Sequence, residues 1–451
     1  MNVLKRFTML LAVFILLLLA AFAQAEDVSY YTETPELLRF SQTISEKKTV
    51  GKKGWYTCTY PKTAREDVNT AIASLVDDMT AAQLDALKAL KCEDEAWLDT
   101  GAEISRTGEK YLSFLLISRL SSDNTLVNTD MTTRVYDMES GTQLFLTDLF
   151  DTGSDFWTLL EQEVRTQLTA YFGEAVAPDT DVLDALCRRE ALEKADFTLE
   201  AASLQLHYPA DVLYEGKETL MHVRLWYRDV RPLMNEAAAQ SVDNSRYRMV
   251  AMTYDDGPSV YTKRLLNYYR NYGYKCTFFV IGQRFGYANT LQREHDAGHQ
   301  VASHTYVHDI VTRKTIDWCL DDWAKMTNGM QRLFGKAPVC MRAPGGNDHS
   351  YMYEGNVPLI HWSWSAADAV GNNWSDEKYA NRIIANVRDG GIILMHDINN
   401  LVADYSIRVL RHLQDNGWMA VTIEDLFMDA GYALESGHIY YSTHEIITEP
   451  K

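Results

Sequence analysis

The chain has 451 residues, 46% of them hydrophobic and 11% aromatic, with 24 Gly and only 10 Pro. That mix excludes collagenous and wholly disordered classes and leaves room for two or three packed domains. Acidic residues outnumber basic ones, 62 to 43, for a net charge of −19, which argues against nucleic acid or an anionic bilayer as an electrostatically held partner.

The N-terminus carries Lys5 and Arg6, then an apolar run from Phe7 to Phe22 that ends in Ala23-Gln24-Ala25. Small residues at this spacing after such a run predict a signal peptide, residues 1–25, cleaved before the acidic Glu26-Asp27 pair. The chain is then expected to be secreted or extracytoplasmic, with no stable membrane insertion after cleavage. An uncleaved anchor is the rival, because the run approaches the roughly 20 residues that span a bilayer. Six cysteines, Cys58, Cys92, Cys187, Cys276, Cys319 and Cys340, include no C-x-x-C pair, which excludes a zinc ribbon. Cys58 with Cys92 is the expected disulfide, and Cys276, inside the apolar KCTFFVIG, is expected to be a buried thiol.

Residues 26–240 read as α+β. Tyr111–Leu120, Thr132–Met138 and Thr219–Val230 are rich in β-branched and aromatic residues, and Asp155–Tyr171 has helical spacing of apolar positions. Tyr136–Phe150 reads as a hairpin with Gly141 at its turn. No motif here carries chemistry. The polar stretch Asn235–Arg246 reads as a linker.

From about residue 247 to 430 short apolar strands alternate with amphipathic helices. Seven strands are expected: Met249–Tyr254, Cys276–Gly282, His299–His304, Val339–Ala343, Leu359–Ser365, Ile392–His396 and Trp418–Ile423. Alternation of this kind implies parallel strands with crossover helices, hence an α/β barrel or a doubly wound sheet. Residues 431–451 read as a tail.

In such folds the carboxyl ends of the strands form the active face. Asp255 and Asp256, in TYDDGP, leave the first strand there and point in different directions, so one can ligate a metal while the other faces substrate. His304 and His308, in SHTYVH, follow the third strand at i and i+4, a spacing that puts both on one face of a helical turn. Two His and one carboxylate with open positions make a hydrolytic metal site, able to lower the pKa of bound water. Arg342 can hold a carboxylate ionised, and His396 can protonate a leaving amine. Asp368 sits at a further strand end.

Residues 247–430 resemble the polysaccharide deacetylase family, the NodB homology domain of carbohydrate esterase family four. Thr253–Pro258, His304–His308, Arg342–Gly346 and Ile393–His396 match its first, second, third and fifth motifs. The resemblance implies a distorted (β/α)7 barrel and metal-dependent removal of acetyl groups from an N-acetylated glycan. By motif position Asp255 would be the general base, Asp256, His304 and His308 the ligands of Zn2+ or of Co2+, Ni2+ or Mn2+, and His396 the general acid. Arg342 would orient Asp255, Asp368 would tune the catalytic groups, and the Gly345 N–H would help hold the oxyanion. The fourth motif keeps only its second acid, Asp368, and Ala369 stands where the family has Trp. Leu394, with Trp364 or Trp374, is expected to wall the acetyl pocket instead. Tyr136–Phe150 is similar to a stretch in the domain that precedes the catalytic one in some Gram-positive peptidoglycan deacetylases, which makes cell-wall N-acetylglucosamine or N-acetylmuramic acid the expected substrate. The rivals are a glycan-binding protein without activity and an O-acetyl esterase acting on xylan-like glycans.

Overall fold

The computed structural model describes residues 30–50, 54–90, 96–122, 125–173, 176–349 and 357–448. The expected signal peptide and Cys92 lie outside them. Among the described residues no helix is long and apolar enough to cross a membrane.

The N-terminal part holds two sheets. Six strands, β1 (Phe40–Val50), β2 (Gly54–Thr63), β3 (Ala96–Ser105), β4 (Tyr111–Ser122), β5 (Thr125–Asp137) and β6 (Thr142–Leu144), lie side by side in chain order. The helix Glu66–Ala89 crosses over between the parallel β2 and β3, and its Val68, Ile72 and Val76 pack with Cys58, Ala102 and Phe114. Cys58 is a free, buried thiol 3.3 Å from the Thr80 hydroxyl, its side chain committed to the helix-facing core, and its expected partner Cys92 lies outside the described residues. Strands β7 (Phe197–Leu199), β8 (Ser203–Pro209) and β9 (Leu220–Trp226) form a second, antiparallel sheet against the helix Phe156–Thr169.

The expected linker is not a free one. Asn235 caps a short helix, Glu236–Ser241, by accepting from Ala238 N, and the Asn244 side chain accepts from Gly108 N at 2.7 Å. Asn and Asp supply caps and turn bonds as well as linker polarity, which is why composition alone misreads this stretch.

Beyond it lie β10 (Arg248–Asp255), β11 (Thr277–Val280), β12 (Gln300–Ser303), β13 (Leu359–Ile360), β14 (Trp364–Ser365), β15 (Gly391–His396), β16 (Trp418–Val421), β17 (Ile439–Ser442) and β18 (Glu445–Ile447). β10 pairs in parallel with β11, β15 and β16, and β11 with β12. Helices fill the crossovers; two of them, Thr262–Tyr272 and Ile316–Phe334, end on Gly273 and Gly335 at φ 64° and 77°, a backbone that favours glycine.

The α/β class holds, but seven equal strands do not form. Val339–Ala343 contributes single bridges, Met341 to Ser303 and to Leu359. Leu359–Ser365 breaks into β13 and β14, because Ser363 turns its hydroxyl onto the Ile392 backbone. The expected tail instead supplies β17, which pairs in parallel with β13 and antiparallel with β15 at Gly391. Short strands leave unpaired backbone groups, and a late hairpin that covers them satisfies those groups. Alternation along the strands sends Met252, Tyr254, Ile393 and Met395 outward under the helices, and Ala251, Phe279, Ala302 and Ile392 inward.

Candidate functional site

The inward face of β10 carries Thr253 and Asp255, and that of β15 carries Leu394 and His396; Thr253 is in register with Leu394 and Asp255 with His396. Strand alternation thus brings a carboxylate and an imidazole from residues 141 positions apart to one strand end. Arg342 reaches the same point from the bridge segment. Its guanidinium is fully buried over the Phe279 ring, Cζ 4.0 Å from the centroid. Nη1 donates to Asp255 Oδ1 at 2.7 Å and to Thr253 Oγ1 at 2.8 Å, Nη2 to the His361 carbonyl at 2.9 Å, and Nε to the Ile360 carbonyl at 3.1 Å. A planar fork held at four points fixes one oxygen of Asp255 and leaves Oδ2 for chemistry.

Asp256, next along the chain, adopts φ 73° and so turns away from its neighbour. Its Oδ1 lies 3.0 Å from His308 Nε2 and 3.4 Å from His304 Nε2. His304 Nδ1 donates to the Arg342 carbonyl at 2.8 Å, which turns Nε2 toward the carboxylate. The pair does not ride on a helical turn as the spacing predicts. Thr305 and His308 stand at φ 66° and 60° in a loop, tied down by Asp322, whose carboxylate accepts from Tyr306 N at 2.8 Å and Val307 N at 3.3 Å. One ligand atom from each of Asp256, His304 and His308 lies within 4.8 Å of the others. Two imidazoles and a carboxylate so grouped fit a divalent cation, with the His304 ring already held by the Arg342 carbonyl. Burial raises the Asp256 carboxyl, but hydrogen bonding and charge from the two imidazoles prevail and hold it well below the usual range. The bond to Asp256 raises His308.

His396 Nδ1 lies 2.8 Å from Asp368 Oδ1, and His396 N donates to Asp368 Oδ2 at 2.9 Å. Burial lowers the imidazole, but Asp368, Asp255 and Asp256 outweigh it and push it up to about 9. Its Nε2 stays clear of Asp368. Tyr405 donates to Asp368 Oδ2 at 2.5 Å and Asn399 to the Asp368 carbonyl at 3.0 Å.

Asp255, Asp256, His304, His308, Arg342, Asp368 and His396 thus converge, and Leu394 lies on the inward face beside them. Gly345, at φ 65°, sits in the turn that follows Arg342. Trp364 does not join this set. It packs toward the outer layer with Arg382 over its ring, because the break at Ser363 resets the alternation. Trp374 lies against Tyr379 at 5.3 Å between centroids. A further aromatic beside Arg342 is Trp362, 5.7 Å from its Cζ, against which a Cβ on Gly346 would press at 3.0 Å. Sequence reasoning passed over Trp362, Thr253, Asp322 and Tyr405; the only signal was the inward parity of Thr253 with Asp255.

A carboxylate freed on one oxygen, a three-residue cation site and a carboxylate-backed imidazole, all at parallel strand ends, define a hydrolase site of an α/β protein. Residues 243–356 match the family model described as polysaccharide deacetylase. The peptidoglycan-N-acetylglucosamine deacetylase of Listeria monocytogenes is 31% identical over 203 residues, 43% of this chain and 41% of that protein. The peptidoglycan-N-acetylmuramic acid deacetylase of Bacillus subtilis is 28% identical over 193 residues, 42% and 40% of the respective chains. This chain spans about two-fifths of the length of these curated relatives. Among solved structures, a family 4 acetyl xylan esterase from Clostridium thermocellum in complex with a cobalt ion is 26% identical, covering 43% of this chain and 98% of that one at a TM-score of 0.41.

Proposed function

We propose that this protein removes N-acetyl groups from a polysaccharide, the N-acetylglucosamine or N-acetylmuramic acid of peptidoglycan, outside the cytoplasm at the cell wall. In this reading residues 1–25 export the chain, 26–240 form an accessory region, and 247–430 catalyse, with the hairpin of Ile439–Ser442 and Glu445–Ile447 completing the sheet. The observation that carries the reading is the clamp of Arg342 on Asp255 beside the Asp256, His304 and His308 group, with His396 in register across the strand pair.

Asp256, His304 and His308 would hold a divalent cation, Zn2+ by preference, which when bound polarises the acetamide carbonyl and acidifies water. Asp255 takes the proton of the attacking water at Oδ2, because Oδ1 is held by Arg342. The Gly345 N–H offers a donor to the oxygen that gains charge. His396, kept protonated by Asp368, delivers its Nε2 proton to the sugar nitrogen as the C–N bond breaks, and acetate and a glycan amine leave.

Acetate release from purified peptidoglycan, chitooligosaccharide and acetylxylan, each with and without a chelator, tests the reading. Chelator-sensitive release from peptidoglycan is expected. Release from acetylxylan alone would make the protein an O-acetyl esterase, and release from none would make it a glycan-binding protein.

A further inference from the structure

A second group of two imidazoles and a carboxylate lies at the seam between β9 and the helix Ala288–Asp296, away from the strand ends just described. It comprises His222, His295 and Asp296, with one ligand atom of each within 4.8 Å of the others. His222 is 8% exposed, and its Nε2 is buried with no hydrogen-bond partner among the described residues.

The tautomer of that ring is set by a relay. Thr198 Oγ1 donates to Glu200 Oε1 at 2.7 Å, so it accepts from His207 Nε2, also at 2.7 Å. His207 Nδ1 is then the lone-pair nitrogen and accepts from His222 Nδ1 at 2.8 Å. The proton count therefore leaves His222 Nε2 bare, a buried lone pair that none of the described residues satisfies. His295 Nδ1 lies 3.1 Å from Asp296 Oδ1, and its ring stands 4.9 Å from that of His222. His222 is thus oriented by a hydrogen bond through its far nitrogen, as metal-binding histidines are held.

Lys336 Nζ donates to the His222 carbonyl at 3.0 Å, and Asp296 Oδ1 accepts from Thr219 Oγ1 and Leu220 N, each at 3.2 Å. Arg119 pairs with Asp296 Oδ2 at 3.2 Å and Arg224 with Glu424 at 3.3 Å. Both histidines line a cleft of about 340 Å3 that reaches solvent near Lys336 and Val339, which gives an ion a way in and water a place to complete its shell.

We propose that His222, His295 and Asp296 bind a second divalent transition-metal ion, one suited to nitrogen-rich ligands such as Zn2+, that ties β9 to the helix Ala288–Asp296. The ion is structural: it joins the N-terminal region to the domain that carries the candidate active site.

The test is elemental analysis of the full chain loaded with Zn2+ and desalted, with circular dichroism to confirm folding. Wild type is expected to hold two ions per chain, His304→Ala one, His222→Leu one, and the double variant none. His295→Gln, a milder change, is expected to match His222→Leu. In the His304→Ala background Zn2+ is expected to raise the thermal midpoint by several degrees, and to lose that effect once His222→Leu is added. A His304→Ala chain that holds no ion, or a count unmoved by His222→Leu and His295→Gln, overturns the proposal. A count lowered by His222→Leu but not by His304→Ala would instead sink the metal reading of the strand-end site and leave this one standing.

Discussion

The chain builds the same ligand set, two histidines and one aspartate, in two places by opposite means. At the strand ends the three residues come from one short loop and one strand terminus, and three left-handed residues, Asp256, Thr305 and His308, aim the backbone. At the seam the residues come from a strand and a helix end whose backbones are ordinary, and a hydrogen-bond relay from Glu200 sets the ring. The strand-end group keeps a carboxylate with a free oxygen and an imidazole beside it; the imidazole beside the seam group, His207, is tied into the relay. Ligand identity alone therefore does not separate a reactive site from a structural one. The neighbours do.

Removing the reactive neighbour should break the strand-end group most severely. Asp255→Asn is expected to lower kcat by about 10²–10⁴-fold, the usual worth of a general base, while elemental analysis shows unchanged metal content. Turnover like that of wild type would remove Asp255 from the mechanism. Next in size, Arg342→Met strands a buried carboxylate and should cost about 3–5 kcal/mol of stability in chemical denaturation; a loss below about 1 kcal/mol would mean that Asp255 finds another partner.

The protonation of His396 sharpens the contrast further. Its folded-state value, about 9, lies above the ordinary imidazole value of about 6.5, so the pairing stabilises the fold fully below about pH 6.5 and is lost as pH rises through about 9. As general acid His396 must carry a proton, so activity should fall through the same upper range. Asp368→Asn is expected to move that limb down by about one unit or more, read from a pH profile of kcat/KM; an unmoved limb would assign it to another group. Smallest, at the seam, Thr198→Val removes the first link of the relay and should cost about 1–3 kcal/mol, measured by thermal unfolding, with no shift in the pH profile.

Legibility in the sequence followed the same divide. Asp255, Asp256, His304 and His308 sit in two short windows, and Arg342, Asp368 and His396 at strand ends, so parity along strands and the family motifs bring all seven out. Trp362 was hidden because the alternation of Leu359–Ser365 restarts at Ser363, a break that depends on a hydroxyl meeting the backbone of Ile392. Thr253, Asp322 and Tyr405 are ordinary core residue types whose role appears only through partners far along the chain. His207, His222 and His295 are scattered over 89 residues of strand, loop and helix, and no local period connects them. Residues 431–451 read as a tail because a short edge strand has no signature apart from the gap it fills.

The interface between the two regions has a practical consequence for anyone who expresses the catalytic part alone. Gly101 lies so close to the Arg270 guanidinium that no side chain fits between them. Arg270 Nε donates to Glu103 Oε1 at 2.7 Å, and Arg119 pairs with Asp296. A fragment cut at residue 243, where the family match begins, would leave Arg270 and Asp296 facing water on a surface shaped to meet counter-charges, with the bare face of the helix Ala288–Asp296 beside them. It is expected to unfold at a lower temperature than the full chain, because the ion pairs of Arg270 and Asp296 with the N-terminal sheet are lost. The ion pairs that tie the two regions together thus reach past the boundary drawn by sequence similarity.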